Sequence, residues 1–192
     1  QAYTSMSSSY FFGYGSLVNR LTHGFTPALP ATARGWRRAW RAIPGRDPVY
    51  LTATPDPSCS IEGLIAPVPP EGWAALDLRE QAYERRDARA AVSHGAENVS
   101  QMAIYEIAPE HYVTPGPEQV ILLSYLDVVI QGYLVEYGQA GAERFFDTTV
   151  GWEAPLLDDR AAPRYPRAQK LSDAERAVVD THLTRLGCEV RR

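Results

Sequence analysis

The sequence predicts an α+β fold: a small mixed, mostly antiparallel β-barrel with flanking helices. Three observations lead there. Short β-branched and aromatic runs, punctuated by Pro and Gly, fill the chain as far as Ile107. One amphipathic segment, around Trp73 and Leu76, interrupts them. After Pro115-Gly116-Pro117 the apolar spacing becomes helical. Strands first, one helix inserted and helices last is the order expected of a mixed sheet with helices against it.

Each element follows from its local pattern. Residues 1–9 read as a disordered lead-in ending in Ser7-Ser8-Ser9, with Met6 a candidate natural start and residues 1–5 an appended remnant. Residues 10–192 read as one domain with a C-terminal helical extension. Tyr10-Phe11-Phe12 is a strand that breaks into the turn Gly13-Tyr14-Gly15-Ser16-Leu17. Leu21 to Ala33, with Pro27 and Pro30, reads as irregular. Arg34 to Ile43 alternates, with Trp36 and Trp40 on one face and Arg37 and Arg41 on the other. Val49 to Thr54 and Ile61 to Val68 are two strands separated by a turn at Asp56-Pro57. Glu71 to Ala82 is a helix. Arg85 to Val92 and Val99 to Ile107 are strands joined through His94-Gly95. Ser124 is the expected N-cap of a helix running through Leu126, Val129, Ile130 and Tyr133 to an end at Gly138. Phe145, Phe146 and Trp152 lie in a segment without a clear period, and Asp158 to Pro166 reads as extended. Ser172-Asp173-Ala174-Glu175 is a capping box opening a last helix, closed by Gly187.

Composition narrows the function. Of the 192 residues, 45% are hydrophobic and 22% charged, the profile of a globular protein with a sizeable core. A net charge of −4 argues against a general nucleic-acid binder. The alternating Arg34 to Arg41 stretch could clamp a nucleic acid, but a strand with one solvated basic face suits it better. No apolar run is long enough to span a bilayer, and the polar opening residues lack the apolar stretch of a secretory signal. A cytoplasmic location is expected, with no membrane partner. Cys59 and Cys188 are far apart and read as reduced thiols, although sequence leaves a disulfide open. The histidines are scattered without ligand spacing, so no metal site is expected. The oligomeric state stays open, a homodimer among the alternatives.

Chemistry concentrates in two places. Gly13 and Gly15 let the backbone turn tightly, so that amides after the first strand can converge on an anion. A plain tight turn explains the same glycines. Glu80 follows Trp73 by seven residues and Leu76 by four, which puts a carboxylate on the apolar stripe of its helix. Burial raises the pKa of such a group toward neutrality and suits it to proton shuttling. An ion pair with Arg79, Arg85 or Arg86 is the structural alternative, and Asp77 could cap or pair one turn earlier. Ser16 lacks the following glycine of a nucleophile elbow, and Gly13-Tyr14-Gly15 lacks the third glycine of a dinucleotide loop. Tyr125 sits at the edge of its helix's apolar stripe, between core and cleft.

Taken together, these segments resemble the γ-glutamylcyclotransferase-like superfamily, with its ChaC and AIG2-like branches. Phe12-Gly13-Tyr14-Gly15-Ser16-Leu17 is similar to the family's opening loop, and Gly35-Trp36-Arg37-Arg38-Ala39-Trp40 to its second-strand pattern. Asp56-Pro57-Ser58-Cys59, Gly63 and Val68-Pro69 resemble the next hairpin and strand. Leu76-Asp77-Leu78-Arg79-Glu80 resembles the segment ending in the catalytic glutamate. Ser124-Tyr125-Leu126, with Gly132 and Gly138, is similar to a helix bearing a substrate-site tyrosine. The resemblance covers roughly residues 10 to 138.

The resemblance implies the family's small mixed barrel and an intramolecular aminolysis of a small γ-glutamyl substrate, giving 5-oxoproline and a free amine, amino acid or peptide. It makes Glu80 the catalytic acid and base. Tyr14, Gly15, Ser16, Leu17 and Tyr125 would bind the substrate, with no metal or organic cofactor. Gln81-Ala82-Tyr83-Glu84-Arg85-Arg86 departs from the glycine-rich continuation of glutathione-specific members, and its Tyr-x-x-Arg pattern is closer to branches acting on γ-glutamyl amines. Arg164 and Arg167 are candidates for a substrate carboxylate, a solvated structural role being equally open. A related acyl transferase or hydrolase, or a non-catalytic small-ligand binder of the same fold, remains an alternative.

Overall fold

The computed structural model describes residues 7–192. The suggested start at Met6 and the remnant before it lie outside the described residues. The elements in order are β1 (Ser8–Gly13), β2 (Leu29–Arg41), β3 (Tyr50–Pro67), α1 (Trp73–Arg79), β4 (Glu84–Asp87), β5 (Val92–Ser93) and β6 (Val99–Glu106). Then come β7 (Ile121–Leu122), α2 (Leu123–Asp147), β8 (Thr149–Val150), β9 (Leu156–Leu157), α3 (Asp173–Arg185) and β10 (Val190–Arg191). The main sheet runs β4-β6-β1-β3-β2-β5, with β8 added to β2, and curls into a half-barrel. Its pairings are antiparallel except β1 with β6 and β2 with β8. A small parallel sheet, β10-β9-β7, lies apart from it. The fold is the mixed, mostly antiparallel α+β arrangement that the strand-rich first half predicts.

The core forms where the apolar inner face of the sheet meets α2. Phe11, Phe12, Leu64, Ile65 and Ile104 are fully buried, as are Leu126, Val129, Ile130 and Tyr133 of α2. Gly132 permits the close approach of helix to loop. A Cβ there would lie 2.7 Å from the Asn19 nitrogen and 2.9 Å from the Val18 carbonyl carbon. Asn19 ties the same contact together, its Nδ2 donating to Val128 O and Gln131 Oε1 at 2.9 Å each.

Several elements differ from the sequence reading, each for a local reason. β1 starts at Ser8, inside the expected lead-in, because Ser8 and Ser9 pair with Val99 and Gln101. β2 starts at Leu29, and Pro30 fits in it because β5 joins that edge only at Thr32. The expected turn at Asp56-Pro57 is a bulge within one 18-residue strand. Arg34 pairs with Ser60 and Trp36 with Pro55, so Asp56 to Cys59 lie opposite Gly35 alone, at φ 82°. α1 is confined to Trp73–Arg79, after a 3₁₀ turn at Pro70–Gly72. The segment read as one strand from Arg85 divides into β4 and β5 at a turn in which Ala91 donates to Ala88 O. Gly138, at φ 69° and ψ −168°, is non-helical, so the first helix of α2 ends there as read, and a second helix follows the kink and buries Phe145 and Phe146. Ser124 is not the N-cap, since Leu122 holds that position. The Ser172 capping box forms as read, with Glu175 N donating to Ser172 Oγ at 3.1 Å. Cys59 and Cys188 are free thiols.

Candidate active site

The turn after β1 is built from beneath. Val18 N donates to Gly15 O at 3.1 Å and Asn19 N to Ser16 O at 3.0 Å, giving one tight 3₁₀ turn. Under it lies Arg38, 1% exposed. Its guanidinium donates to Tyr14 O at 3.1 Å, Glu62 O at 2.9 Å, Tyr133 Oη at 2.7 Å and Thr148 Oγ1 at 2.7 Å. Tyr133 Oη adds a 2.8 Å bond to Tyr14 O. The Tyr14 carbonyl is thus clamped from the core side, while its phenol donates to Tyr105 O at 2.5 Å. Arg38 lies on the tryptophan face of β2, so the arginine stretch is not simply a solvated stripe.

Glu80 closes α1, its N–H donating to Leu76 O at 3.0 Å. Leu76 is buried and Leu78 exposed, so the carboxylate points with the apolar side, and its side chain is 16% exposed. Burial pushes its carboxyl above the usual carboxylate range; Arg79 and then Arg167 pull it back only in part. The ion-pair alternative is partly realised, because Arg79 Nε stands 3.5 Å from Glu80 Oε1. Arg79 is also engaged elsewhere, donating to Thr22 O at 2.7 Å, Thr22 Oγ1 at 3.1 Å and Ser16 Oγ at 3.2 Å. Arg85 and Arg86 turn away, toward Asp77 at 3.0 Å and Glu84 at 2.6 Å.

The opposite wall comes from α2 and from a strap covering residues 158–170. Tyr125 is positioned so closely over the turn that a Cβ on Gly15 would lie 2.6 Å from its hydroxyl oxygen. Its ring meets Tyr165 edge-on at 5.0 Å and Trp40 at 6.0 Å. Buried Asp159 fastens strap to helix. It accepts from Ser124 N at 2.8 Å, Ser124 Oγ at 2.6 Å and Arg164 N at 2.9 Å. An external carboxylate therefore does the capping that the sequence assigns to Ser124.

These walls enclose a cavity of about 270 Å³ lined by Ser16, Leu51, Glu80, Tyr83, Tyr125 and the strap residues Arg164 to Arg167, among others. A crevice of about 30 Å³ continues it to Tyr14, Gly15, Leu17 and Tyr105. Glu80, Tyr14, Gly15, Ser16, Leu17 and Tyr125, far apart in the chain, are thus gathered around one cleft. Sequence reasoning missed Arg38 and Leu51, and it left Arg46 without a role. Arg38 had a signal, an arginine between two tryptophans on the face turned to the core. The others had none. Ser16 Oγ accepts from Arg79, and the nearest histidine in sequence, His23, is occupied at Leu17 O and between Phe11 and Phe25. Among the described residues no group of three or more His, Cys, Asp or Glu could hold a metal ion, and no helix could cross a membrane. The chemistry available to the cleft is proton transfer through a carboxyl of raised pKa, beside a turn of backbone amides and a phenol.

Comparison with known proteins gives a family and a fold. The family described as Gamma-glutamyl cyclotransferase, AIG2-like, matches residues 11–122. The chain is similar to YkqA from Bacillus subtilis at 16% identity and a TM-score of 0.50, covering 77% of this chain and 57% of that one. It is similar to a structure titled Gamma-glutamyl cyclotransferase at 13% identity and a TM-score of 0.53, covering 91% and 99%. A structure of the Homo sapiens protein loc79017 gives 14% and 0.55, covering 91% and 99%. The chain spans little more than half of YkqA. At these identities the likeness is one of fold. No curated protein matches the chain.

Proposed function

This chain belongs to the Gamma-glutamyl cyclotransferase, AIG2-like family, and on that premise we propose that it converts a γ-glutamyl peptide or amide to 5-oxoproline and a free amine. The supporting observation is a mostly buried carboxyl of raised pKa, Glu80, facing the same cavity as the Gly15–Leu17 turn and Tyr125.

The α-nitrogen of the substrate attacks its own γ-carbonyl carbon, a C–N bond forms, and the amide C–N bond breaks. Tethering makes the attack intramolecular, so the site has mainly to hold a folded conformer. The α-ammonium must lose two protons, and the departing nitrogen must gain two to leave as an ammonium. Ionised Glu80 takes a proton from the attacking nitrogen and returns it to the leaving one; the second exchanges with solvent. Its raised pKa matters because an ordinary carboxylate is too weak a base at neutral pH to hold the proton between the two nitrogens. Amides of the turn stabilise the charge that grows on the carbonyl oxygen, and the Tyr125 hydroxyl contacts the glutamyl moiety. Arg38, by clamping Tyr14 O, holds those amides in place.

The test is 5-oxoproline release from glutathione, γ-glutamyl dipeptides and a γ-glutamyl amine, with Glu80→Gln run beside wild type. Product from wild type, falling about 10²–10⁴-fold in the variant, is expected. Equal turnover by the two proteins would end the mechanism. Ligand binding by a folded wild type that releases no product would replace the enzyme with a binding protein.

A further inference from the structure

We propose that the outer part of the cavity is a subsite for a carboxylate on the leaving group, so that this chain prefers γ-glutamyl amino acids or peptides to γ-glutamyl amines. The inference rests on the cyclotransferase reading above.

The cavity has an inner and an outer part. The inner crevice is lined by the Gly13–Leu17 turn and contains no arginine. The outer cavity shares Ser16, Leu51, Glu80, Tyr83 and Tyr125 with it and adds Arg79, which is engaged with Glu80, Thr22 and Ser16, and three further arginines, Arg46, Arg164 and Arg167. A substrate whose scissile amide lies at Glu80, with its glutamyl end toward the turn, sends its leaving group toward these three guanidinium groups.

No carboxylate among the described residues forms an ion pair with them, although Glu80 feels the charge of Arg167. Among the described residues, the side chains of Arg46, Arg164 and Arg167 have neither a hydrogen bond nor an ion pair. Arg20, Arg37, Arg144 and Arg160, by contrast, each meet a carboxylate at 2.6–2.8 Å. Glu80 is the sole acidic residue lining the outer cavity. A concave wall of one sign concentrates ligands of the other, and the guanidinium fork suits a carboxylate in particular.

The arginines are also presented by fixed backbone. Asp159 accepts from Arg164 N, Tyr165 is seated edge-on against Tyr125, and Gln119 Nε2 donates to Arg46 O at 2.9 Å. The Tyr83-x-x-Arg86 pattern, which leans toward amine substrates by resemblance, divides in space. Tyr83 lines the cavity, while Arg86 pairs with Glu84 and approaches Glu106 at 3.5 Å. An ammonium-bearing leaving group would meet four arginines, Arg79 among them, and find no acceptor carboxylate besides Glu80.

The test compares γ-glutamyl-alanine with γ-glutamyl-alaninamide, which differ in the carboxylate alone. Wild type should favour the acid by about tenfold in kcat/KM, the scale of one charge-assisted hydrogen bond. Arg46→Gln, Arg164→Gln and Arg167→Gln, checked by melting for an intact fold, should bring the acid-to-amide ratio toward one through the KM of the acid. A wild-type ratio near one, or a ratio unmoved in the triple variant, overturns the subsite. If neither donor releases 5-oxoproline, it is the cyclotransferase reading that fails. Calorimetry of the same two compounds on wild type then decides the subsite: about tenfold tighter binding of the acid supports it, and equal binding ends it.

Discussion

Substituting Gly15 by alanine tests how closely the two walls of the cleft approach each other. The new Cβ would lie 2.6 Å from the Tyr125 hydroxyl oxygen and 3.2 Å from Leu51 Cδ2. A shift of a few tenths of an ångström relieves the second contact, but not the first. The Tyr125 ring cannot simply swing away, because Trp40 and Tyr165 hold its edges. The expected cost is that of overpacking, about 1–3 kcal/mol. Tyr125→Phe removes the offending oxygen, and the next atom, Cζ, is at an ordinary 3.8 Å. Alone it forfeits a buried hydroxyl's hydrogen bond, about 1 kcal/mol. In the double variant the clash is gone, so the two costs should not add, and the cycle should show about 1–2 kcal/mol of favourable coupling. Any backbone cost of alanine at position 15 is common to the single and double variants and cancels. Urea unfolding of the four proteins at constant m-value measures this. The same proteins assayed for 5-oxoproline should show stability recovered in the double variant but turnover not recovered, since the proposed mechanism needs the hydroxyl. Additivity within about 0.5 kcal/mol would refute the reasoning, because the hydroxyl would then not stand against the turn.

Three further outcomes follow from the same contacts. Because burial raises the Glu80 pKa in the folded chain above its ordinary 4.5, the stability it contributes is fully present below the unfolded pKa and is lost as pH rises through the folded one. Glu80→Gln should therefore gain stability over wild type at pH 8 but not at pH 4 in paired denaturant titrations, while wild-type kcat/KM falls as pH drops through the raised pKa. Gly132→Ala drives a methyl into the Asn19 backbone and should cost about 1–3 kcal/mol in urea unfolding, with turnover reduced in whatever protein remains folded. Arg38→Lys keeps the charge but loses the fork that reaches four acceptors. A loss of about 2–3 kcal/mol is expected, and a midpoint equal to wild type would show the clamp under Tyr14 to be idle.

What could be read in the sequence tracks how local each signal is. Glu80 was legible because a carboxylate on the stripe carrying Trp73 and Leu76 is costly, and one short helix sets that geometry. The Gly13-Tyr14-Gly15 turn was legible because a buried strand running into glycines is punctuation that few alternatives explain. The bulge at Asp56 was read as a turn because its chemistry is that of a turn. Ser58 N donates to Asp56 Oδ1 at 2.9 Å, and only pairing with β2 shows that the strand resumes its register. Gly138, by contrast, was read for what it is. Its positive φ ends the first helix, as such a glycine should, and what went unread is the second helix beyond the kink, which buries Phe145 and Phe146.

At the leaving-group end of the cleft the signal was weaker, leaving Arg164 and Arg167 equally open to a substrate carboxylate or a solvated role, and the reason is physical. Arg164 and Arg167 lie in a segment without a period, and nothing in their neighbours marks them apart from surface arginines. Alongside Arg160 on Asp127, their position is set by Asp159, which satisfies one amide of the first turn of α2, Ser124 N, with the same carboxylate that accepts from Arg164 N. A helix start needs an acceptor for its orphan N–H groups. Here the acceptor comes from the strap, so the condition for a stable α2 is also the condition for seating Tyr165 against Tyr125. Capping and site assembly are then one interaction. A substitution such as Asp159→Ala should loosen the strap and weaken acid-over-amide discrimination together with helix stability, whereas Arg164→Gln should affect the discrimination alone.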